Sequence, residues 1–175
     1  MSARLRTPER TVVLSLGSNL GPREEHLLAG VSRLEAAGGL KLEALSSLYE
    51  TSPVGIATNN AFINAILVAK TALPAADLLA VCRRAERAAG RTAGGPSRDR
   101  TLDVDIIFYG DEMIDEHELA IPHPRYHERL FVLVPLIEIR PAFRVPPSGG
   151  AIADILGRCG GDAWARKVSG RSWIH

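Results

Sequence analysis

Residues 98–112 read RDRTLDVDIIFYGDE and contain the strand that completes the predicted fold, with two carboxylates inside it. Successive side chains of a strand point to opposite faces, so Asp103 and Asp105 share one face. The opposite face carries three apolar side chains that we expect to pack on the core, namely Val104, Ile106 and Phe108. The pattern predicts a strand over residues 101–109 with one polar and one apolar face.

Strands and helices alternate in a defined order around this stretch. Short apolar and β-branched runs predict three further strands, at 11–16, 40–51 and 61–71. Helices are predicted from Pro22 to Gly38 and from Pro74 to Gly90, because proline suits a first turn and glycine ends a helix. The resulting β-α-β-β-α-β order predicts an α+β, ferredoxin-like sandwich with helices on one face of an antiparallel sheet.

The residues after Gly110 are expected to add C-terminal elements to the same domain. RYHERLFVLVPLIEI (125–139) is predicted to be helical in pieces broken by Pro135. The tail beyond it is rich in turn residues, with one short helix expected at 151–157. We expect a single domain over residues 1–175, with residues 1–10 as an N-terminal extension.

Composition and charge exclude several functional classes. The 175 residues carry a net charge of +1, so nothing global indicates binding to nucleic acid or to an anionic membrane. The chain has two cysteines and no CxxC pattern, which argues against a disulfide framework or a zinc site. Neither an apolar signal core nor a membrane-length apolar run is present, so we expect a cytoplasmic protein.

The charges are nevertheless segregated along the chain. Six arginines lie between residues 83 and 100, and seven acidic residues without Lys or Arg lie between 101 and 120. A basic segment beside an acidic one suits a polyphosphate–metal complex, although it also suits plain salt bridges. Two carboxylates about 7 Å apart on a strand can share a pair of Mg²⁺ ions, and they can equally mark a solvated strand end.

Other side chains carry weaker signals of their own. Phe62 and Asn64 share a face of the third strand, where a ring and an amide could bind a planar heterocycle. Asn64 could equally be a structural amide satisfied by the backbone. His123 lies between two prolines, which hold it in place, and GSN (17–19) is interpreted as a strand-to-helix turn, since it lacks a phosphate-loop pattern.

Taken together, several stretches resemble the hydroxymethyldihydropterin pyrophosphokinase family. The resemblance covers about residues 11–157 and is carried by LSLGSNLG, LYETSPVG, FINAILVAKT, AERAAGR, RTLDVDIIFYG and IPHPRYHERLFVLVPLIEI. It implies a folate-pathway enzyme that transfers pyrophosphate from ATP to the hydroxymethyl group of a dihydropterin and releases AMP. The small-molecule substrates are then ATP and hydroxymethyldihydropterin, and a monomer without nucleic-acid or membrane partners is expected.

The resemblance also implies roles for individual residues. Asp103 and Asp105 match ligands of two Mg²⁺ ions, and Arg91 and Arg100 match arginines that fold over the triphosphate. The ATP site is expected to include, besides these arginines, Arg83, Glu86, Ile106, His123 and Arg129. The pterin site is expected to comprise Phe62 and Phe131 as the rings that sandwich the pterin and Asn64 as the amide that hydrogen-bonds to it. The loop from Thr51 to Gly55, including Ser52, Pro53 and Val54, is expected to border this site.

The sequence departs from the family pattern in the segment before Arg100. Many members carry WGPR-like residues there, whereas this chain has GGPSRDR with Asp99 directly before the arginine. Either Arg98 or Arg100 could therefore play the closing role, and adjacency to TLD favours Arg100. Two other functions fit parts of the pattern. An RNA-recognition module shares the β-α-β-β-α-β order, but the lack of its aromatic motif argues against it. A nucleotidyltransferase could use the same carboxylate pair, and it would release pyrophosphate.

Overall fold

The computed structural model describes residues 8–55, 58–90, 99–160 and 162–169. Its strands are β1 Arg10–Ser18, β2 Leu40–Leu45, β3 Leu48–Thr51, β4 Phe62–Thr71, β5 Asp103–Tyr109, β6 Ile114–Glu116, β7 Leu119–Ile121, β8 Arg144–Val145, β9 Gly150–Ala151 and β10 Ala165–Ser169. Its α-helices are α1 Arg23–Ala36, α2 Ala75–Ala88, α3 Leu130–Ile139 and α4 Ile152–Leu156, and a 3₁₀ turn at Tyr126–Glu128 precedes α3.

The main sheet is antiparallel and has β1 near its centre. The strand order is β10-β3-β4-β1-β5, and β2 pairs with the far part of β4. β1 pairs with both β4 and β5, so the first strand lies between the third and fourth predicted strands. This arrangement confirms the ferredoxin-like β-α-β-β-α-β prediction.

Helices cover both faces of this sheet: α1 and α2 lie on one face, as predicted for the β-α-β-β-α-β unit, and the appended α3 and α4 lie on the other. One core lies between the sheet and α1 and α2, and it contains Leu27, Leu34, Leu78 and Cys82. A second core lies on the other face, beneath α3 and α4, and contains Leu133, Leu136 and Ile152. The apolar α3 needs a second surface to cover it, because the first face is already occupied.

The predicted strand at 40–51 is two strands, divided at Ser46 and Ser47. Ser46 donates its N–H to the Ile66 carbonyl at 2.9 Å, and the Ile66 N–H donates to the Ser46 hydroxyl at 2.9 Å. Ser47 instead donates its N–H (2.9 Å) and its hydroxyl (2.6 Å) to the Glu138 carboxylate on α3. Bonds to the Ser46 hydroxyl and to the Glu138 carboxylate therefore take the place of part of the regular ladder, and the strand is interrupted.

A β-bulge in β5 changes which side chains face the core. The register with β1 shifts between Val13, which pairs with Phe108, and Leu14, which pairs with Ile106, so that Ile107 is the extra residue. Asp103 and Asp105 share one face as predicted, opposite Val104 and Ile106. Phe108, however, lies in the second core, on the carboxylate face, so the predicted orientation of Phe108 was wrong.

Three further expectations from the sequence need correction. β1 continues through Gly17 and Ser18, so these two residues belong to a strand and not to a turn. α3 runs through Pro135 without a break, because its buried apolar side chains pack on the second core and outweigh one lost backbone bond. The tail contributes the short predicted helix, α4, but also β10, which no pattern had indicated.

Among the described residues, no helix combines the length and the apolar character needed to cross a membrane. Both cysteines are free thiols: Cys82 is buried and Cys159 is half-buried. Burial, together with the charges of Glu86 and Asp105, raises the pKa of the Cys82 thiol to about 12.

Candidate active site

The floor of the candidate site is a row of residues that runs across the sheet on the α3 face. The pairing register places Asn64 of β4 opposite Gly17 of β1, and Gly17 opposite Asp103 of β5. Two residues further along the same pair of strands, Ser15 of β1 lies opposite Asp105 of β5. Because neighbouring strands lie about 4.8 Å apart, the backbones of Asn64 and Asp103 are about 10 Å apart, with only a glycine between them. Because Gly17 has no side chain, the amide oxygen of Asn64 can lie directly over it.

A cavity of about 460 Å³ opens above this row. It contains most of the residues predicted for the site, namely Thr51, Ser52, Val54, Phe62, Asn64, Arg100, Asp103, Asp105, His123, Arg129 and Phe131. Its remaining lining residues are Ser15, Gly17, Gly55 and Arg125. The structure therefore brings the predicted ATP-side and pterin-side residues around one space.

Each carboxylate of the pair carries an arginine partner. Arg100 donates from Nη1 to Oδ2 of Asp103, and Arg129 donates from Nη1 to Oδ2 of Asp105 at 2.9 Å. Burial and the neighbouring charge of Asp103 raise the pKa of the Asp105 carboxyl, while Arg129 opposes this shift. The two carboxylates are thus held by cations that also face the cavity, where a polyphosphate could compete for the guanidinium groups.

His123 faces the same carboxylates as a neutral imidazole. Its backbone N–H donates to the Ile107 carbonyl at 2.9 Å, which fixes the residue beside β5. Burial and the positive charge of Arg129 lower the pKa of His123 to about 4. Nδ1 accepts a bond from the Arg125 N–H at 3.1 Å, so the proton lies on Nε2, which is 4.0 Å from Oδ2 of Asp105.

The opposite end of the cavity presents an amide and two rings. Asn64 is buried, and its Nδ2 donates to the Thr51 hydroxyl at 2.7 Å. Its Oδ1 lies over Gly17, where a Cβ atom would come within 2.6 Å of it. Phe62 and Phe131 are both half-buried and line the same space. Rings beside an oriented amide suit a flat heterocycle with hydrogen-bonding edges.

Four of the predicted site residues that the structure describes do not line this cavity. Arg83 pairs with Glu118 at 2.9 Å, and the buried Glu86 accepts the Val104 N–H at 2.9 Å. Ile106 is buried in the core against α1 and α2, and Pro53 lies in the loop without lining the space. Arg91 and the alternative Arg98 lie outside the described residues.

The sequence reasoning missed three residues that line the cavity: Ser15, Gly17 and Arg125. In β1 the large apolar side chains alternate with small ones, and this alternation was the available signal for Ser15 and Gly17. Arg125 follows the two prolines that flank His123, and its guanidinium lies 3.1 Å from the position of a Cβ atom on Gly55. No short-range pattern indicates that contact, because it joins segments 70 residues apart.

The carboxylate pair has the donor chemistry of a magnesium site that is completed by substrate. Mg²⁺ in proteins is usually held by one or two carboxylates together with substrate phosphates and water. Asp103 and Asp105 supply two hard oxygen ligands on one face of β5. No group of three or more His, Cys, Asp or Glu side chains suited to a metal ion occurs in the part of the chain that the structure describes. The residues therefore fit metal ions that arrive with a polyphosphate.

Comparisons with known proteins agree with these features. The family model for 7,8-dihydro-6-hydroxymethylpterin-pyrophosphokinase (HPPK) matches residues 13–141. A 2-amino-4-hydroxy-6-hydroxymethyldihydropteridine pyrophosphokinase of Bacillus subtilis is 40% identical over 126 residues, which are 72% of this chain and 75% of the relative. The enzyme of the same name from Pseudomonas aeruginosa is 34% identical over 148 residues, 85% of this chain and 91% of the relative.

A solved structure shows the same fold at lower sequence identity. The crystal structure of wild-type Plasmodium falciparum HPPK-DHPS with pteroate superposes with a TM-score of 0.67 at 16% identity. The superposition covers 86% of this chain and 44% of that one, so the two chains share one folded unit within a longer protein.

Proposed function

The chain belongs to the 7,8-dihydro-6-hydroxymethylpterin-pyrophosphokinase family, and from that membership we propose how its cavity performs the family's reaction. The protein is a pyrophosphokinase that transfers pyrophosphate from ATP to hydroxymethyldihydropterin in folate biosynthesis. The observation that carries the proposal is the row in which Gly17 separates the amide of Asn64 from the carboxylate of Asp103.

The pterin occupies the end of the cavity that is lined by Asn64 and the rings. Asn64 is already oriented by its bond to Thr51, so its amide is prepared to pair with the hydrogen-bonding edge of the heterocycle. Phe62 and Phe131 stack on the two faces of the ring system, and the loop from Thr51 to Val54 closes the border. The hydroxymethyl group then points from the Asn64 end of the cavity towards Asp103 of β5, and both residues line this one space.

The ATP triphosphate occupies the other end, among the arginines and the carboxylates. Asp103 and Asp105 would hold two Mg²⁺ ions, which neutralise phosphate charge and lower the pKa of the attacking hydroxyl when they are bound. Arg100 and Arg129 transfer their hydrogen bonds from the carboxylates to phosphate oxygens. This exchange frees both carboxylates for the metal ions and keeps each guanidinium paired.

The reaction is a direct displacement on the β-phosphorus of ATP. The pterin hydroxyl attacks in line and loses its proton to water, the bond between the β-phosphorus and the oxygen bridging to the α-phosphate breaks, and AMP leaves with that oxygen. Arg100 and Arg129 neutralise charge that develops on the phosphate oxygens, and the Nε2–H of the neutral His123 can donate a hydrogen bond to them. Arg83, Glu86, Ile106 and Arg91 stay predictions for the ATP side, and Arg100 is assigned the closing role over Arg98.

We also propose a monomeric, cytoplasmic enzyme that uses neither nucleic acid nor a membrane. The net charge of +1 and the free thiols support this assignment. A single domain is supported by the path of the main sheet, which takes strands from Arg10 to Ser169.

Identification of the nucleotide product tests the proposal. The purified protein is incubated with ATP, Mg²⁺ and 6-hydroxymethyl-7,8-dihydropterin, and the nucleotides are resolved by chromatography. We expect one AMP for each pterin diphosphate. Release of ADP would identify a simple kinase, and release of pyrophosphate with an adenylated pterin would identify a nucleotidyltransferase; either product would contradict the proposal. Asp103→Asn serves as the matched inactive control.

A further inference from the structure

β10 lies at the edge of the main sheet, next to the loop that borders the pterin end of the cavity. It pairs with β3 in a register that joins Ala165 to Thr51 and Arg166 to Glu50. The family match ends at residue 141, so this strand lies outside the matched region. β10 does not line the cavity, and any effect it has on substrate must pass through other residues.

The first connection runs through Ser52, the first residue after β3. The Ser52 N–H donates to the Trp164 carbonyl at 3.2 Å, and the Trp164 N–H donates to the Ser52 hydroxyl at 3.1 Å. This reciprocal pair continues the β3–β10 ladder by one position into the substrate loop. The loop therefore begins from a fixed point beside Thr51, whose hydroxyl accepts the bond from Asn64.

The second connection is a chain of charged groups centred on Glu50. Its carboxylate accepts bonds from Arg166 of β10 at 2.6 Å and from Arg23 of α1 at 3.2 Å. The other terminal nitrogen of Arg23 donates to the Ala61 carbonyl at 2.7 Å, directly before Phe62. The Glu50 side chain is 19% exposed and that of Arg23 is 31% exposed, so this pair is better shielded than an ordinary surface pair, whereas Arg166 is 71% exposed.

The third connection reaches the helix that carries the other ring. Lys167 donates to the Glu138 carboxylate at 2.8 Å, and Glu138 also accepts bonds from Ser47 and from the Tyr49 hydroxyl. Glu138 lies on α3, two turns after Phe131. β10 is thereby linked to all three elements that form the pterin end: the loop after β3, the start of β4, and α3.

We propose that β10 is a positioning element of the pterin site, and that Glu50 is the positioning residue that connects it to Phe62. The inference rests on the proposed placement of the pterin between Phe62 and Phe131. Arg166 holds Glu50, Glu50 orients Arg23, and Arg23 fixes the backbone in front of the ring. The series of contacts from Arg166 to Phe62 does not include Arg100, Asp103 or Asp105. ATP binding is therefore expected to be independent of these contacts.

The test compares Arg166→Ala and Glu50→Gln, singly and together, in the full chain. We expect each single variant to raise the KM for the dihydropterin by about threefold to tenfold, while kcat and the KM for ATP stay within about twofold. The KM of the double variant for the dihydropterin should not exceed that of the more affected single variant, because both substitutions break the same series of contacts. Arg140→Ala is the matched control, since Arg140 pairs with Glu43 at 3.3 Å on the same domain without contacting the cavity.

The outcomes separate this inference from the proposed function. Equal changes in both KM values, or an effect of Arg140→Ala as large as that of Arg166→Ala, would overturn the positioning role and indicate general loss of stability. Unchanged pterin affinity in both single variants would overturn it as well. If the wild type formed no AMP, the proposed function would fail first, and direct titration with the fluorescent 6-hydroxymethylpterin would still measure whether Arg166→Ala weakens binding.

Discussion

Substitution of Gly17 by alanine should damage pterin binding through a single contact. The added Cβ atom would lie 2.6 Å from Oδ1 of Asn64, whereas ordinary contact begins at 3.4 Å, so one group must move by about 0.8 Å. Asn64 cannot retreat sideways, because its Nδ2 is already 2.7 Å from the Thr51 hydroxyl on the other side. The amide must therefore swing out of its plane and lose that bond.

The size of the effect follows from the lost hydrogen bond. Asn64 is only 3% exposed, and leaving a buried polar group without its partner costs about 1–3 kcal/mol. Since 1.4 kcal/mol corresponds to a factor of ten, we expect the dissociation constant of the pterin to rise by about 5-fold to 140-fold. The φ angle of Gly17 is not positive, so alanine causes no backbone strain at this position. The energetic cost of the substitution therefore comes from the steric contact with Asn64.

Equilibrium titration with 6-hydroxymethylpterin, in the presence of a non-hydrolysable ATP analogue, measures this change directly. Gly160→Ala is the control, because no atom lies within 4 Å of the Cβ position at that glycine. Binding of the ATP analogue should stay within about twofold of wild type, since Asn64 reads only the pterin. A folded Gly17→Ala protein with wild-type pterin affinity would refute both the steric reasoning and the assignment of Asn64.

Three further perturbations test other parts of the molecule. Asp103→Asn should lower the rate of AMP release by at least about a hundredfold through loss of an anionic metal ligand, with an unchanged circular dichroism melting curve; retained turnover would contradict the metal assignment. In the native protein only Cys159 should react with Ellman's reagent at pH 8, because Cys82 is buried and its pKa is about 12. The Cys159→Ser variant should therefore not react, and rapid labelling of that variant would contradict the burial of Cys82. Burial raises the pKa of Glu138, but the hydrogen bonds from Lys167 and Ser47 outweigh burial and lower this pKa below the ordinary 4.5. The stabilisation that the Glu138 carboxylate provides is therefore present above pH 4.5 and is lost as the pH falls through the lowered pKa. Urea unfolding at pH 3–6 should show a flatter acid limb for Glu138→Gln, and parallel curves for the two proteins would contradict this linkage.

The periodicity of the sequence was sufficient for the β-α-β-β-α-β order as far as β5, although it did not show that the second strand is divided into β2 and β3. Alternation in DVD correctly placed Asp103 and Asp105 on one face, because that face is polar only where it meets the cavity. The orientation of Phe108 could not be predicted, since a bulge at Ile107 follows from the pairing of two distant strands. Local patterns fail where a tertiary partner decides the local conformation.

The same limit explains what was missed around the site. β10 is short and mixes basic with apolar residues, so its strand conformation depends on the free edge of β3 and on Glu50 and Glu138. Arg125 reaches the cavity by folding back towards Gly55, which no spacing along the chain indicates. The chemistry of the site could be read from residue types, while the elements that hold it had to be seen in three dimensions.

β5, at the opposite end of the sheet from β10, would ordinarily offer its outer backbone groups to another chain. Two of these groups are occupied within the molecule: the Val104 N–H donates to Glu86, and the Ile107 carbonyl accepts from His123. Both blocking residues come from outside the sheet, one from α2 and one from the loop after β7. Because these two backbone groups of β5 are already hydrogen-bonded, a strand of another molecule cannot pair with β5 at these positions. Aggregation resistance during folding and storage would then depend on two residues that the sequence had suggested only for nucleotide binding.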